Sequence, residues 1–295
     1  MNYNPLQSSQ LSLTYGKRMA LFLCLFFLCF LIGGVIGYLV MMIGHESRAS
    51  LQIATVVQDI LVFIVPAVAL AVMITRRPDR FLLLDRSPFS AQGFVAVVTL
   101  LAAVPLMNCI VAWNEGLHLP DSLSAVEQWM VASEERARAL TATLMGGGSV
   151  MDLIMGLLVV GLLAGVSEEL FFRGALQRLL MTRPMNPHVA IWITAVIFSV
   201  FHFQFFGFFP RMLLGAFLGY AAWWSGSLWV PVVVHALNNM LVVLASWLKE
   251  TGYSTVDFDS VGACGSVADV VLVGVSVVLC GCGIVILRRI SLRRD

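Results

Sequence analysis

The chain has 295 residues, 59% of them hydrophobic and only 12% charged, with a formal net charge of +1. An average soluble domain is about 25% charged, so this composition excludes an ordinary soluble protein and a disordered one. A near-neutral chain also has no basic footprint for nucleic acid, and none is expected as a partner. The six cysteines are Cys24, Cys29, Cys109, Cys264, Cys280 and Cys282. Most lie in apolar runs and none forms a C-x-x-C pair, so they read as small buried apolar residues, not as disulfides or ligands.

A spanning helix needs about 20 mostly apolar residues. Eight candidates occur in chain order, at residues 19–43, 51–74, 91–113, 150–181, 188–204, 210–224, 228–248 and 267–287. The fold class expected is all-α, a polytopic membrane bundle of about eight transmembrane helices. The first run is too long for a signal-peptide core and no small-residue cleavage site closes it, so it is kept as a helix. The fourth run is unusually long and the sixth short. Residues 114–149 form the longest connection. They contain SLSAVEQWMVASEERARALTATL, an amphipathic pattern with Leu123, Val126, Trp129 and Met130 on one face. This segment is expected to lie on the membrane surface, to cap the bundle or to serve as an exposed connector. Gly146, Gly147 and Gly148 then form a flexible joint.

Lys and Arg test this topology, because cytoplasmic loops carry more of them. Twelve fall on one side: Lys17, Arg18, Arg76, Arg77, Arg80, Arg86, Arg178, Arg183, Arg288, Arg289, Arg293 and Arg294. Five fall on the other: Arg48, Arg136, Arg138, Arg211 and Lys249. Both termini are therefore expected in the cytoplasm of a multi-pass cell (inner) membrane protein, with the lipid bilayer as its surroundings. The oligomeric state is open. The chain divides into N-terminal membrane helices at 1–149, a core at 150–248 and a C-terminal helix with a basic tail at 249–295.

An ionisable residue at membrane depth is costly, so it is a site candidate by default. Asp59, among Val and Ile in span two, is set aside as a helix contact or an interfacial group. Asn108 and Trp113 read as interfacial anchors, and His45, His118 and His188 as loop or helix-end residues. What remains is a cluster of three patterns. Glu168, Glu169 and Arg173 form E-E-x-x-x-R, Phe198 and His202 form F-x-x-x-H, and His235 and Asn239 form H-x-x-x-N. Glu169 and Arg173 are four apart and can pair on one helix face. Glu168 points about 100° away from Glu169. If Met185 centres the turn between spans four and five, Glu168 lies 17 residues before it and His202 lies 17 after it. Antiparallel helices would then hold both about 25 Å from the turn. His235 lies nine residues past Gly226, about 13 Å deep, and reaches the same level if the first turn projects about 10 Å farther.

A carboxylate facing a histidine can hold and activate a water. A second histidine and an asparagine can donate to a developing oxyanion. That set is sufficient to hydrolyse an amide without a serine or cysteine nucleophile, and Ser199 shows no sign of a triad. A metal version is open too: Glu168, His202 and His235 could hold Zn²⁺ with one position left for water. A polar network that only ties helices together is the plainer alternative.

In this order on successive membrane helices, the three motifs resemble those of the CAAX protease and bacteriocin-processing family of intramembrane endopeptidases. GVSEELFFRGALQ and GSLWVPVVVHALNN look like its bacterial members. The resemblance covers about residues 150 to 248 and implies a conical catalytic core built from spans four to seven. It also implies that Glu168 activates water with His202 and that His235 and Asn239 stabilise the oxyanion. Glu169 and Arg173 would support the site. Both a metal-dependent and a glutamate-type mechanism are attached to the family. The metal-free one is preferred here, with no cofactor, because a Glu-His-activated water also gives the asparagine a role. The implied substrate is a membrane-tethered peptide or protein, prenylated or not. Two non-proteolytic readings remain beside it. One is a non-catalytic immunity or peptide-binding scaffold protein of the same fold. The other is a proton-coupled transporter, which the clustering of the polar residues and the lack of an inverted repeat disfavour.

Overall fold

A computed structural model describes residues 13–87, 90–182, 185–254, 258–263 and 265–293. Every regular element among them is helical. The main helices are α1 (Tyr15–Ile43), α2 (Arg48–Ile74), α3 (Ala91–Ala102), α4 (Val104–Glu115) and α5 (Ser124–Met145). After them come α6 (Val150–Met181), α7 (Pro187–Phe201), α8 (Phe208–Ser225), α9 (Trp229–Glu250) and α10 (Val267–Leu292). The starts are chemically marked. Ser47, Ser90 and Ser266 accept backbone N–H bonds as N-caps. Ser149 and Asp152 form a reciprocal capping box at α6. Asn186 caps α7, whose first residue is Pro187. Gly226 ends α8 in the left-handed region at φ 63°, where a side chain would be strained.

The protein is thus a polytopic helical membrane protein. Six helices are long and apolar enough to cross a bilayer, and α3 with α4 counts as a seventh if the pair, bent by 49°, is one span. The bend falls where Pro105 opens α4. The expected fifth span is a helix of only 15 residues. At 1.5 Å per residue it measures about 22 Å, less than the roughly 30 Å of hydrocarbon. It stops at Phe201 rather than at Gln204, because His202 caps it and Phe203 turns the chain at φ 50°. The amphipathic stretch is helical as α5. Its Leu123, Val126 and Trp129 remain exposed, and the Trp129 ring lies 5.1 Å from that of Phe205.

The basic residues separate toward two ends. Arg86 reaches the Ser225 carbonyl and Arg178 that of Phe81, which joins the loop after α2 to the ends of α6 and α8. At the opposite end Arg48 pairs with Asp152 at 2.8 Å and Arg138 with Glu115 at 2.8 Å. Arg183 and Arg294 lie outside the described residues. One cysteine expectation fails: Cys109 is disulfide-bonded. Cys24, Cys29, Cys280 and Cys282 are free, and Cys264 lies outside the described residues. An apolar setting had suggested a packing role, but Cys109 sits in the middle of α4 beside Asn108, which donates to the carbonyls of Phe258 and Val261 and holds that connection close.

Lipid tails are as apolar as leucine, so close packing and polar contacts hold these helices together. One core joins α1, α2, α6 and α7 through Phe22, Phe26, Leu70, Phe171, Phe172 and Phe198. A second joins α3, α8, α9 and α10 through Ala96, Leu100, Leu218, Val234 and Leu287. α6 meets α9 at backbone distance. A Cβ on Gly165 would lie 2.9 Å from the Ala236 nitrogen and 3.0 Å from its Cα, so no side chain fits. Ala236 follows His235, so this contact fixes the histidine beside Glu168 and Glu169. Gly165→Val is expected to destabilise the protein by about 1–3 kcal/mol through overpacking. Thermal unfolding in detergent checks it, with Gly281→Val as the neutral control, since nothing lies within 4 Å of a Cβ there.

Candidate active site

Two stretches of π-helix, Leu157–Leu163 and Leu170–Gln177, flank the glutamates of α6. A π turn adds a residue and re-aims the side chains beyond it, and such turns recur at functional sites. Here they leave Glu168 and Glu169 in one α-helical turn, Ala164–Glu169, pointing in different directions.

Glu169 faces inward. Its side chain and that of Arg173 are 0% exposed. Arg173 donates from Nη1 to Glu169 Oε1 and from Nη2 to the Gly215 carbonyl on α8 at 2.9 Å. Its guanidinium lies 4.6 Å from the centre of the Phe198 ring, a cation–π contact. Gln177, one further turn on, donates to the Gly219 carbonyl at 3.1 Å. Glu169, Arg173 and Gln177 therefore form a polar stripe that grips the backbone of α8. The second motif glutamate and its arginine pair, as their spacing predicted. Gln177 went unnoticed, although it continues the same four-residue spacing.

Glu168 points elsewhere and is 15% exposed. His202 Nε2 lies 4.0 Å and His235 Nε2 3.9 Å from Glu168 Oε2. The other ring nitrogens are engaged. His202 Nδ1 is 2.8 Å from the Phe198 carbonyl oxygen, and His235 Nδ1 is 2.8 Å from Glu169 Oε1. Both partners only accept, so both rings carry hydrogen on Nδ1 and turn their Nε2 lone pairs toward Glu168. Glu168 Oε2 is itself buried without a hydrogen-bond partner. Separations near 4 Å are too long for direct hydrogen bonds but suit a bridging water about 2.8 Å from each atom. Three acceptors converge there, while a water donates two hydrogens. Such a water can therefore donate to two of the three at once.

Asn239 lies one turn past His235. Its Nδ2 donates to the Val160 carbonyl at 3.2 Å, in the first π stretch of α6, and its Oδ1 accepts from Asn238 at 3.3 Å. One Nδ2 hydrogen is thus used in joining α9 to α6 and the other stays available. Ser199 Oγ donates to the Phe208 carbonyl at 2.7 Å, so it joins α7 to α8 and is turned away from nucleophilic work. His118 meets Glu127 and His188 meets Tyr220, in keeping with their peripheral positions.

The fit to a metal ion can be tested on the same atoms. Metal-bound histidines also donate their second ring nitrogen to a carboxylate or carbonyl, as both do here. The spacing does not fit. Bonds of about 2.0–2.1 Å in a tetrahedral zinc site put ligand atoms roughly 3.4 Å apart, less than the 3.9 and 4.0 Å observed. Among the described residues no three His, Cys, Asp or Glu side chains are grouped to hold an ion.

Two other groups were missed by sequence reasoning. Asn114, 3% exposed, donates to the Phe205 carbonyl and accepts from the Phe209 N–H, which pins the loop after His202. Glu134 of α5 receives Gln204 Nε2 at 3.4 Å, and Arg211 donates to Gln204 Oε1 at 2.6 Å. Helix α5 is thus tied to the same loop. Residues on separate helices with no shared motif give no sequence signal for such contacts.

Removing one member of a buried ion pair strands the other. Arg173→Met should cost about 3–5 kcal/mol. Glu169→Gln together with Arg173→Met should recover most of that, and a double-mutant cycle of thermal unfolding measures it.

Comparison with curated proteins found no match, and neither did comparison with solved structures. Residues 150–241, about a third of the chain, match the model of the family described as type II CAAX prenyl endopeptidase Rce1-like. Glu168, Glu169, Arg173, His202, His235 and Asn239 all fall inside that stretch, which is similar to the Rce1-like family.

Proposed function

We propose that this protein is an intramembrane endopeptidase that hydrolyses a peptide bond of a membrane-tethered peptide or protein. One observation carries the reading: the unpartnered Glu168 Oε2 faces two imidazole lone pairs at 3.9 and 4.0 Å, a spacing that suits one water. The family match to residues 150–241 supports it.

In this mechanism Glu168 and His202 hold the water. Glu168 takes one of its protons as the oxygen attacks the scissile carbonyl carbon. The oxyanion is met by the free Nδ2 hydrogen of Asn239. His235 donates to it from Nε2 only once that atom carries a proton, since Nδ1 is committed to Glu169. The carbon–nitrogen bond then breaks, and Glu168 returns its proton to the leaving nitrogen. Glu169 and Arg173 act through His235 by fixing its tautomer and orientation. No step is routed through a metal, in accord with the spacing above, and the enzyme is read as glutamate-type. Its place is the cell membrane with both termini cytoplasmic. The sorting of basic residues supports this orientation, and so does the disulfide-bonded Cys109 toward the opposite end, because disulfides persist in oxidising compartments.

Glu168→Ala and His202→Ala should each lower cleavage of a membrane-tethered peptide by about 10²–10⁴-fold while the protein still folds. A mass-spectrometric assay in proteoliposomes reads this, and full activity in either folded variant sinks the proposal. Metal is judged separately, by elemental analysis of the purified protein and by activity after chelation. Less than stoichiometric zinc and chelator-resistant cleavage are expected. One zinc per chain with chelator-sensitive cleavage would establish Glu168, His202 and His235 as ligands instead.

A further inference from the structure

The helical core is closed on one side of the active site and open on the other. On the closed side, all eight residues of Leu170–Gln177 are buried, with Arg173 at 0% exposure. A helix with no exposed face is surrounded by protein. Leu82 of the loop after α2, Phe198 of α7 and Leu228 and Val232 at the start of α9 pack in the same core. α9 repeats the pattern, since Val233 alone is exposed between Val230 and Ala236. From Glu168 to Arg178, which marks the basic end, the chain runs ten residues, or about 15 Å of helix.

Past the glutamates in the other direction the same helices loosen. In Leu157–Leu163 of α6 only Val159 and Gly161 are buried. In α9 only Val243 is buried after Ala236, and in α8 only Pro210 before Gly215. Lipid contact alone exposes a stripe along a whole helix. It does not close one half of three helices and open the other half. His202 lies at this open end, two residues before Gln204. A cavity of about 270 Å³ adjoins it, lined by Ser199, Val200, Phe203, Gln204, Phe205 and Phe208. Above the loop, Gln204 meets Glu134, and Arg138 links Glu134 to Glu115. Glu115 and Arg138 are 46% and 60% exposed, and charges so exposed face water rather than lipid. Asn239 lies one turn from His235 on this side, whereas Arg173 and Gln177 lie on the closed side.

We infer that a substrate reaches Glu168 from the end that carries α5 and the loop after His202, and not past Arg173. With α5 outside the cell membrane, as proposed above, the cleaved bond is presented from the extracytoplasmic leaflet. The substrate class is then an anchored polypeptide whose cut segment lies on the α5 side of the bilayer. That class rests on the peptidase reading, whereas the entrance is read from burial alone.

Labelling with a charged, membrane-impermeant methanethiosulfonate tests the entrance without cleavage. Three cysteines are introduced one at a time into the full chain, in sealed vesicles of each orientation. Val126→Cys reports the α5 side, Arg76→Cys the basic end and Glu168→Cys the site, and both Val126 and Arg76 are exposed. The unaltered chain gives the background from Cys24, Cys29, Cys280 and Cys282. Glu168→Cys is expected to react from the side that labels Val126→Cys, with no labelling from the side that labels Arg76→Cys. Reaction from the Arg76 side, from both sides or from neither overturns the inference. If Glu168→Cys fails to fold, His202→Cys takes its place under the same criterion. Val126→Cys labelled from the cytoplasmic side would overturn the leaflet and leave the entrance standing. The substrate class is read by placing the tethered peptide of the cleavage assay on either side of one apolar anchor. Cleavage is expected on the Val126 side and lost on the other, and equal cleavage on both overturns the assignment. If neither peptide is cleaved while Glu168→Cys labels as expected, the peptidase reading fails alone.

Discussion

The buried pair of Glu169 and Arg173 is the constraint on which the rest of the site depends. Two charges without any solvent contact are a liability unless they are paired and hydrogen-bonded. Here those bonds are directed at three helices. Arg173 holds a carbonyl of α8 and lies over an aromatic ring of α7. Glu169 holds His235 of α9. One ion pair on α6 thus sets the positions of the other three helices of the core. It also divides the labour between adjacent glutamates. Glu169 is engaged through Oε1 by Arg173 and His235, and Glu168 is left with an oxygen that faces the Nε2 atoms of His202 and His235.

Two features of the backbone make that arrangement possible. Gly165 lets α9 approach α6 until Ala236 lies against the backbone, which a bundle held only by side chains would not permit. The π turns of α2 (Asp59–Ile64) and α6 supply the rotation. A regular helix places residues four apart on one stripe, and an added residue per turn moves the next group off it. The same irregularity brings the Val160 carbonyl within reach of Asn239. Local departures from helical regularity and the polar cluster occur together, and neither is distributed along the rest of the bundle at random.

Much of this was legible in the sequence, for identifiable reasons. Apolar runs and arginine placement gave the helices, because the bilayer imposes length and charge asymmetry directly. The three short motifs gave the residues, since the four-residue spacings of Glu169 with Arg173 and of His235 with Asn239 need only helix periodicity. Counting from Met185 gave a common level for Glu168 and His202, and their side chains do meet in the fold. What stayed hidden depends on contacts between helices with no shared motif. Asp59 looked like a stray charge because nothing in α2 names α6 as its neighbour, yet it is buried where the two helices pack. Asn114 and Glu134 belong to segments whose folding over the loop after His202 is set by tertiary packing. The disulfide at Cys109 was missed because an apolar neighbourhood describes a packed thiol and a bonded one equally well.

The shortness of α7 has a consequence for the surrounding lipid. A helix some 8 Å shorter than the hydrocarbon slab creates a hydrophobic mismatch, which thinning of the bilayer around it would relieve. His202 sits at the end of that short helix and is 28% exposed. Thinning lowers the headgroup layer, with its water, toward the level of the polar cluster. A polypeptide held in the membrane by an apolar anchor would meet water there at a depth where an undisturbed bilayer has none. Hydration of the site is then a property of the protein and its lipid together, and it should follow the thickness of the membrane in which the protein resides.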